Sequence, residues 1–334
     1  MRNAKIIGSG AYAPERVVPN SYFNELLGED VDTWLRENLT IRERRWMRDD
    51  ESTADMCVEA ARGALERAGI EARQLKLLIV STDTPEYISP STASVVQHRL
   101  GAVNAGTFDI NSACAGFVTA LNTGANFVRA DENMDCVMVI GAYAMSKYLN
   151  MKDKKTVTLF ADGAGAVILQ AAEKSSEEGF LTSSLYSEGQ YADWMGIYAG
   201  GTHQPLTEEV LKNKDHLLKF VKKFPKEVNP TTWTRMIKEG CQKLGITPED
   251  INQYFFTQIN INSISETMDN LNVDRSRAHT IMDRYGYTGS ACIPMAFDDA
   301  RKQGKLKKGD IVCFMGSGGG LAFAMAIYRL GEKF

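Results

Sequence analysis

Apolar runs of strand character alternate with helical stretches along this chain, and no other feature constrains its fold as much. Leu77-Leu-Ile-Val-Ser81 follows a helix-like stretch from Ala54 to Ala68. Cys136-Val-Met-Val-Ile-Gly141 follows a second helical pattern, Gly116 to Val128. Such alternation predicts α/β layering with largely buried strands. Gly163-Ala-Gly-Ala-Val-Ile-Leu-Gln170 and Gly318-Gly-Gly-Leu-Ala-Phe-Ala-Met-Ala-Ile-Tyr328 look alike, each with small residues ahead of an apolar strand. They read as a weak internal repeat. A polar segment, roughly 184–233, lies between the halves. It holds Trp194, the Gly200-Gly-Thr-His-Gln-Pro205 turn and the charged run Lys212 to Lys226. Long insertions with turn chemistry and aromatics often form functional lids. The charged run itself reads as a solvated helix and loop.

Bulk properties exclude several classes. A chain of 334 residues can hold a large core or two fused halves. A formal net charge of −4 offers no basic field for nucleic acid. Met1-Arg-Asn-Ala-Lys5 leads into a short apolar run broken by glycines, so neither a signal peptide nor a membrane span is expected. The six cysteines are scattered, which fits free thiols in a reducing cytoplasm and not a disulfide framework or metal site.

Asp109-Ile-Asn-Ser-Ala-Cys-Ala-Gly-Phe117 carries the chemistry. Thr107-Phe-Asp-Ile110 reads as a short strand, so Cys114 stands at or near the start of the following helix. The helix dipole favours thiolate there, and thiolate is the nucleophile. The alternative is a buried small hydrophobe, because deep burial raises a thiol's pKa and silences it. Gly316-Ser-Gly-Gly-Gly320 suits close backbone approach to a ligand and equally suits a tight turn.

Cys-Ala-Gly-Phe in this setting resembles the nucleophile motif of the ketoacyl-ACP synthase III family, within the thiolase superfamily. The resemblance covers nearly the whole chain. Lys5-Ile-Ile-Gly-Ser-Gly-Ala-Tyr-Ala-Pro14, Trp34 with Thr40-Ile-Arg-Glu-Arg44, Phe160-Ala-Asp-Gly-Ala-Gly-Ala166, Gly286-Tyr-Thr-Gly-Ser290 and Gly316–Gly320 stand in family order. It implies the thiolase fold, two similar βαβαβαββ halves forming a five-layered αβαβα core, with an N-terminal half at 1–175 and a C-terminal half at 176–334. It implies an acyl-Cys114 intermediate and an oxyanion hole shared by the N–H groups of Cys114 and Gly319. Trp34 would stack on coenzyme A, with Lys154 where the family has arginine and Asn260 matching the family. The Gly200–Pro205 turn would build part of the acyl entrance. The substrate would be an acyl-CoA or acyl-carrier-protein thioester, with no other cofactor. A homodimer, or a heterodimer with a paralogue, would pair through Thr107–Ile110.

The chain departs from the family at two catalytic positions. Thr257 stands where the family has histidine, and Tyr287 where it has asparagine. That pair supports malonyl decarboxylation. Acyl transfer is therefore expected to persist and ordinary decarboxylation to be lost, in specialised metabolite or lipid biosynthesis. A non-catalytic subunit of a ketosynthase-like heterodimer and a priming 3-oxoacyl-ACP synthase III are the alternatives. His203 and Asp83 are the candidates to replace the missing base. His98 and His279 read as structural or peripheral, the latter ahead of a strand Thr280–Met282. Asp83 falls where the related hydroxymethylglutaryl-CoA synthases carry a catalytic glutamate, but a cap or turn in the loop Thr84–Tyr87 is the favoured role. Asn38 and Asn262 replace basic residues, and Asn262 weakens docking of an acidic carrier protein.

Overall fold

The computed structural model describes residues 2–334. Its first sheet contains β1 (Asn3–Tyr12), β2 (Leu77–Ser81), β3 (Gly106–Ile110), β4 (Cys136–Ala144) and β5 (Asp162–Ala172), in spatial order β1-β5-β4-β2-β3. β2 runs parallel to β3 and β4, whereas β5 is antiparallel to β1 and β4. Helices α1 (Thr53–Ala68), α2 (Thr92–Leu100) and α3 (Gly116–Ala130) link these strands, so the chain reads βαβαβαββ.

The second sheet repeats the plan. β6 (Gly179–Tyr191), β7 (Gln253–Phe256), β8 (Ile311–Gly318) and β9 (Gly320–Arg329) lie in the order β7-β8-β9-β6. Helices α4 (Val228–Leu244), α5 (Ile261–Asn270) and α6 (Cys292–Lys302) complete it. One strand differs. Where the first half has β3, the second has a single bridge from Ala278 to Tyr254, and the His279 N–H donates to the Tyr254 carbonyl at 3.1 Å. The strand expected at Thr280–Met282 does not form.

α3 and α6 touch both sheets and make the central layer. α1 and α2 cover the far face of the first sheet, and α4 and α5 that of the second. The five layers thus run αβαβα. A central helix must be apolar nearly all round, and α3 is buried at Gly116, Phe117, Val118, Ala120, Leu121, Asn122, Gly124, Ala125 and Val128. All of β2 and β4 is buried for the same reason, which explains their unbroken apolar runs. The small residues of β5 let α6 sit close: a Cβ on Gly165 would stand 2.7 Å from the Met295 nitrogen.

β3 is an edge strand, hydrogen-bonded only to β2, and half-buried along most of its length. Exposed Tyr87, Ile88 and Val103 belong to the chain segments flanking α2. The insertion is ordered. Met195–Gly196 pairs with Lys219–Phe220, and Glu208–Asn213 forms a short helix. No helix among the described residues is long and apolar enough to cross a membrane.

Candidate active site

Three polar side chains converge because three parallel strands end at the same edge. Asp83 follows β2, Cys114 follows β3, and Tyr143 lies at the carboxyl end of β4. Ligands of α/β sheets bind at such ends. Cys114 sits in a tight connection where Ala113 takes φ 45° and the Ala115 and Gly116 amides donate to Ser112 and Ala113 carbonyls at 3.1 and 2.9 Å. The second half closes on it from above. A Cβ on Gly318 would lie 2.5 Å from the Cys114 nitrogen, so only glycine allows that approach.

Cys114 lines a chamber of about 80 Å³ together with Met195, Phe220, Phe224, Tyr287 and Gly319. An outer cleft of about 770 Å³ shares Phe220, Phe224, Pro225, Asn229 and Ile259 with it. Trp34, Lys154 and Asn260 all line this outer cleft. Trp34 is 55 % exposed. Lys154 pairs with both oxygens of Glu29 at 3.0 Å, and Asn260 caps α5 by accepting from the Asn262 amide. Asn262 also donates to the Asn38 carbonyl at 3.1 Å.

The insertion does act as a wall of the site, through Phe220–Lys226 and not through Gly200–Pro205. No residue of that turn lines either cavity, and His203 is exposed. The charged run is more than a solvated face, since Lys222, Lys223 and Lys226 join Lys154 and Lys155 in the cleft lining. Sequence periodicity could not reveal this, because a two-residue strand and a loop carry no repeat.

The site's electrostatics also differ from expectation. Burial pushes the Cys114 thiol well above its ordinary pKa, and the charge of Asp83 pushes it further, while the hydroxyls of Tyr287 and Tyr143 favour the thiolate. Desolvation is the largest of these influences, and it favours the thiol. Thr257 is not part of the chamber lining. Its hydroxyl accepts from the Ser317 amide at 2.9 Å and faces the Ser317 carbonyl at 3.2 Å, a local clasp of the glycine loop. Tyr287 is buried in the chamber wall, 5.4 Å from Phe160 between ring centroids. His279 is spent on Asp299 at 2.8 Å.

Asp83 is not a cap. Its Oδ1 is buried and finds no hydrogen-bond donor. Burial pushes its carboxyl up to about 6. Its charge also raises the Tyr143 hydroxyl, after burial itself. Because the folded pKa lies above the unfolded one, the folded state holds the proton more tightly. Stability is highest below the unfolded value and falls as pH rises towards 6. Asp83→Asn removes this penalty. The variant is expected to gain about 1–3 kcal/mol at pH 7.5 and much less near pH 4. Thermal melts of both proteins at the two pH values read this out; a gain of equal size at both would show that the carboxyl titrates normally.

Comparison with known proteins agrees with this geometry. The 3-oxoacyl-[acyl-carrier-protein (ACP)] synthase III family model matches residues 108–189, and its C-terminal counterpart matches residues 241–330. The chain is 38 % identical to a beta-ketoacyl-[acyl-carrier-protein] synthase III of Clostridium perfringens (strain SM101 / Type A), over 99 % of this chain and 100 % of that one. It is 36 % identical to the acetoacetyl CoA synthase NphT7 of Streptomyces sp. (strain CL190), over 97 % of each. It superposes on the crystal structure of 3-oxoacyl-[acyl-carrier-protein] synthase III from Aquifex aeolicus VF5 with a TM-score of 0.88 and 29 % identity, covering 98 % of this chain and 99 % of the other. With the two-halved fold and the buried cysteine at its centre, the chain belongs to the ketoacyl-ACP synthase III family of the thiolase superfamily.

Proposed function

We propose that this member of a family of condensing and acyl-transferring enzymes takes an acyl group from a thioester onto Cys114. It then hands that group to an acceptor other than decarboxylated malonyl. One observation supports the reading. Cys114, the glycine loop and Tyr287 border one small chamber, while Thr257 is tied to Ser317 outside its lining. The resemblance puts the family's imidazole and carboxamide at Thr257 and Tyr287. The Cys114 sulfur attacks the thioester carbonyl carbon, and the new S–C bond replaces the carrier's. The carrier leaves as a thiol, taking up the proton that Cys114 gives up. An acceptor N–H, O–H or acidic C–H then attacks the acyl-Cys114 carbonyl, and its proton restores the thiol.

Five lysines and an exposed Trp34 around the outer cleft support a phosphate-bearing carrier such as coenzyme A. Mixing the protein with short acyl-CoA esters and measuring intact mass tests the reading. An acyl adduct on the peptide containing Cys114 supports it, and no adduct from any thioester defeats it. The last possibility is the behaviour of a non-catalytic subunit.

The unpaired edge of β3 and the exposed apolar residues near it support pairing of two copies. Sedimentation at micromolar concentration is expected to give the mass of a dimer; a stable monomer would count against this pairing.

A further inference from the structure

Asp83 and Tyr143 stand beside the Cys114 sulfur, yet neither lines the chamber through which a carrier would arrive. They border the nucleophile outside that lining. Hydrogen bonds hold Asp83 there. The Thr82 amide donates to the Ile110 carbonyl at 3.2 Å, four residues before Cys114. The Ala144 amide donates to Thr84 Oγ1 at 2.8 Å, next to Tyr143. Asp83 is thus bracketed by the two segments that carry the cysteine and the tyrosine. Tyr143 limits the space. It is 1 % exposed, packs its ring against Gly289, where a Cβ would come within 2.3 Å, and faces Phe160 and Tyr287 at 6.3 Å. The flank is bordered by aromatic rings and carries, on a part-buried Asp83, a buried carboxylate oxygen with no donor.

Resting on the acyl-Cys114 reading, we infer that this flank selects a short acyl group bearing a hydrogen-bond donor, a hydroxyl or an ammonium, which Asp83 Oδ1 receives. An alkyl chain of the same length would leave a buried acceptor unpaired. A site built around such an acceptor discriminates strongly against the analogue that lacks the donor. The unpartnered oxygen then has a purpose that neither a turn nor a cap supplies.

The experiment uses the full chain and follows intact mass against time with three acyl-CoA esters: butanoyl, 3-hydroxybutanoyl and 3-aminopropanoyl. At least one donor-bearing ester is expected to label Cys114 about tenfold faster than butanoyl, or more. Which one leads distinguishes a hydroxyl from an ammonium partner. Asp83→Ala is expected to bring that ratio to about one. Asp83→Asn keeps a neutral acceptor, so it preserves a hydroxyl preference and abolishes an ammonium preference. Equal labelling by all three esters in the unaltered protein overturns the inference. So does a uniform slowing in Asp83→Ala with the ratio kept, which would make Asp83 a proton-transfer group instead. Absence of labelling by any thioester strikes the acyl-enzyme reading itself, and is thereby distinguishable from labelling without preference.

Discussion

Acylated enzyme offered radiolabelled malonyl-CoA is expected to release carbon dioxide about 10⁴-fold or more slowly than an ordinary priming condensing enzyme. Loss of carbon dioxide turns the malonyl thioester into an enolate, whose charge builds on the thioester oxygen. The barrier depends on donors aimed at that oxygen, and removing one such donor typically loses two to three powers of ten, or about 3–4 kcal/mol. The resemblance places an imidazole and a carboxamide at those two positions. Here the Thr257 hydroxyl is bonded to the Ser317 backbone on both sides and does not line the chamber. Tyr287 does line it, but its hydroxyl faces the Cys114 sulfur and burial pushes its pKa well up, so it stays protonated. Its ring also takes space that malonyl would need in a chamber of about 80 Å³. The measurement is trapped radioactive carbon dioxide per active site. Turnover at the rate of an ordinary priming enzyme would refute the loss and restore the priming reading.

The reasons why parts of this molecule were legible are physical. β2 and β4 are covered on both faces, so their sequences are unbroken apolar runs that announce strands. The repeat of small residues at Gly163 and Gly318 reflects close approach in both halves, against Met295 in one and the Cys114 backbone in the other. Cys114 was legible because a strand and a helix meet there with only small residues between. The bridge at Ala278 was not, since one pair of residues leaves no period-two pattern. Nor was the upward shift of the Cys114 thiol. The helix start is visible in sequence, but the burial that raises the thiol belongs to the packed chain, where Gly318 of the other half closes on the Cys114 backbone. Tyr143 was overlooked although it follows a strand run by two residues, and the carboxyl ends of parallel strands were the available signal. Asp83 has the sequence context of a turn residue. Only the missing partner of Oδ1 shows otherwise, and that is a property of three dimensions.

Cys114→Ala is expected to abolish acyl-adduct formation entirely while leaving the fold intact. Alanine at each of the other five positions should leave labelling nearly unchanged. The pKa shifts alone do not separate these thiols. Burial pushes Cys136 and Cys292 up to about 12 and Cys241 to about 11, and it pushes Cys57, Cys313 and Cys114 well above the ordinary value. Access separates them, because Cys114 alone of the six lines either cavity described. Cys292 is the critical control, since it is close enough for its charge to affect Cys114 yet lines neither cavity. Two tyrosine hydroxyls face the Cys114 sulfur, so donors for the thiolate are already in place when a thioester binds. Replacing the thiol by hydrogen removes one heavy atom, the sulfur, from a wall that already borders a cavity. The melting temperature should therefore move by only a few degrees. The comparison is intact mass and melting temperature for all six variants with the same acyl-CoA. If Cys114→Ala still gains acyl mass at the unaltered rate, or if Cys292→Ala loses it while Cys114→Ala does not, the nucleophile lies elsewhere.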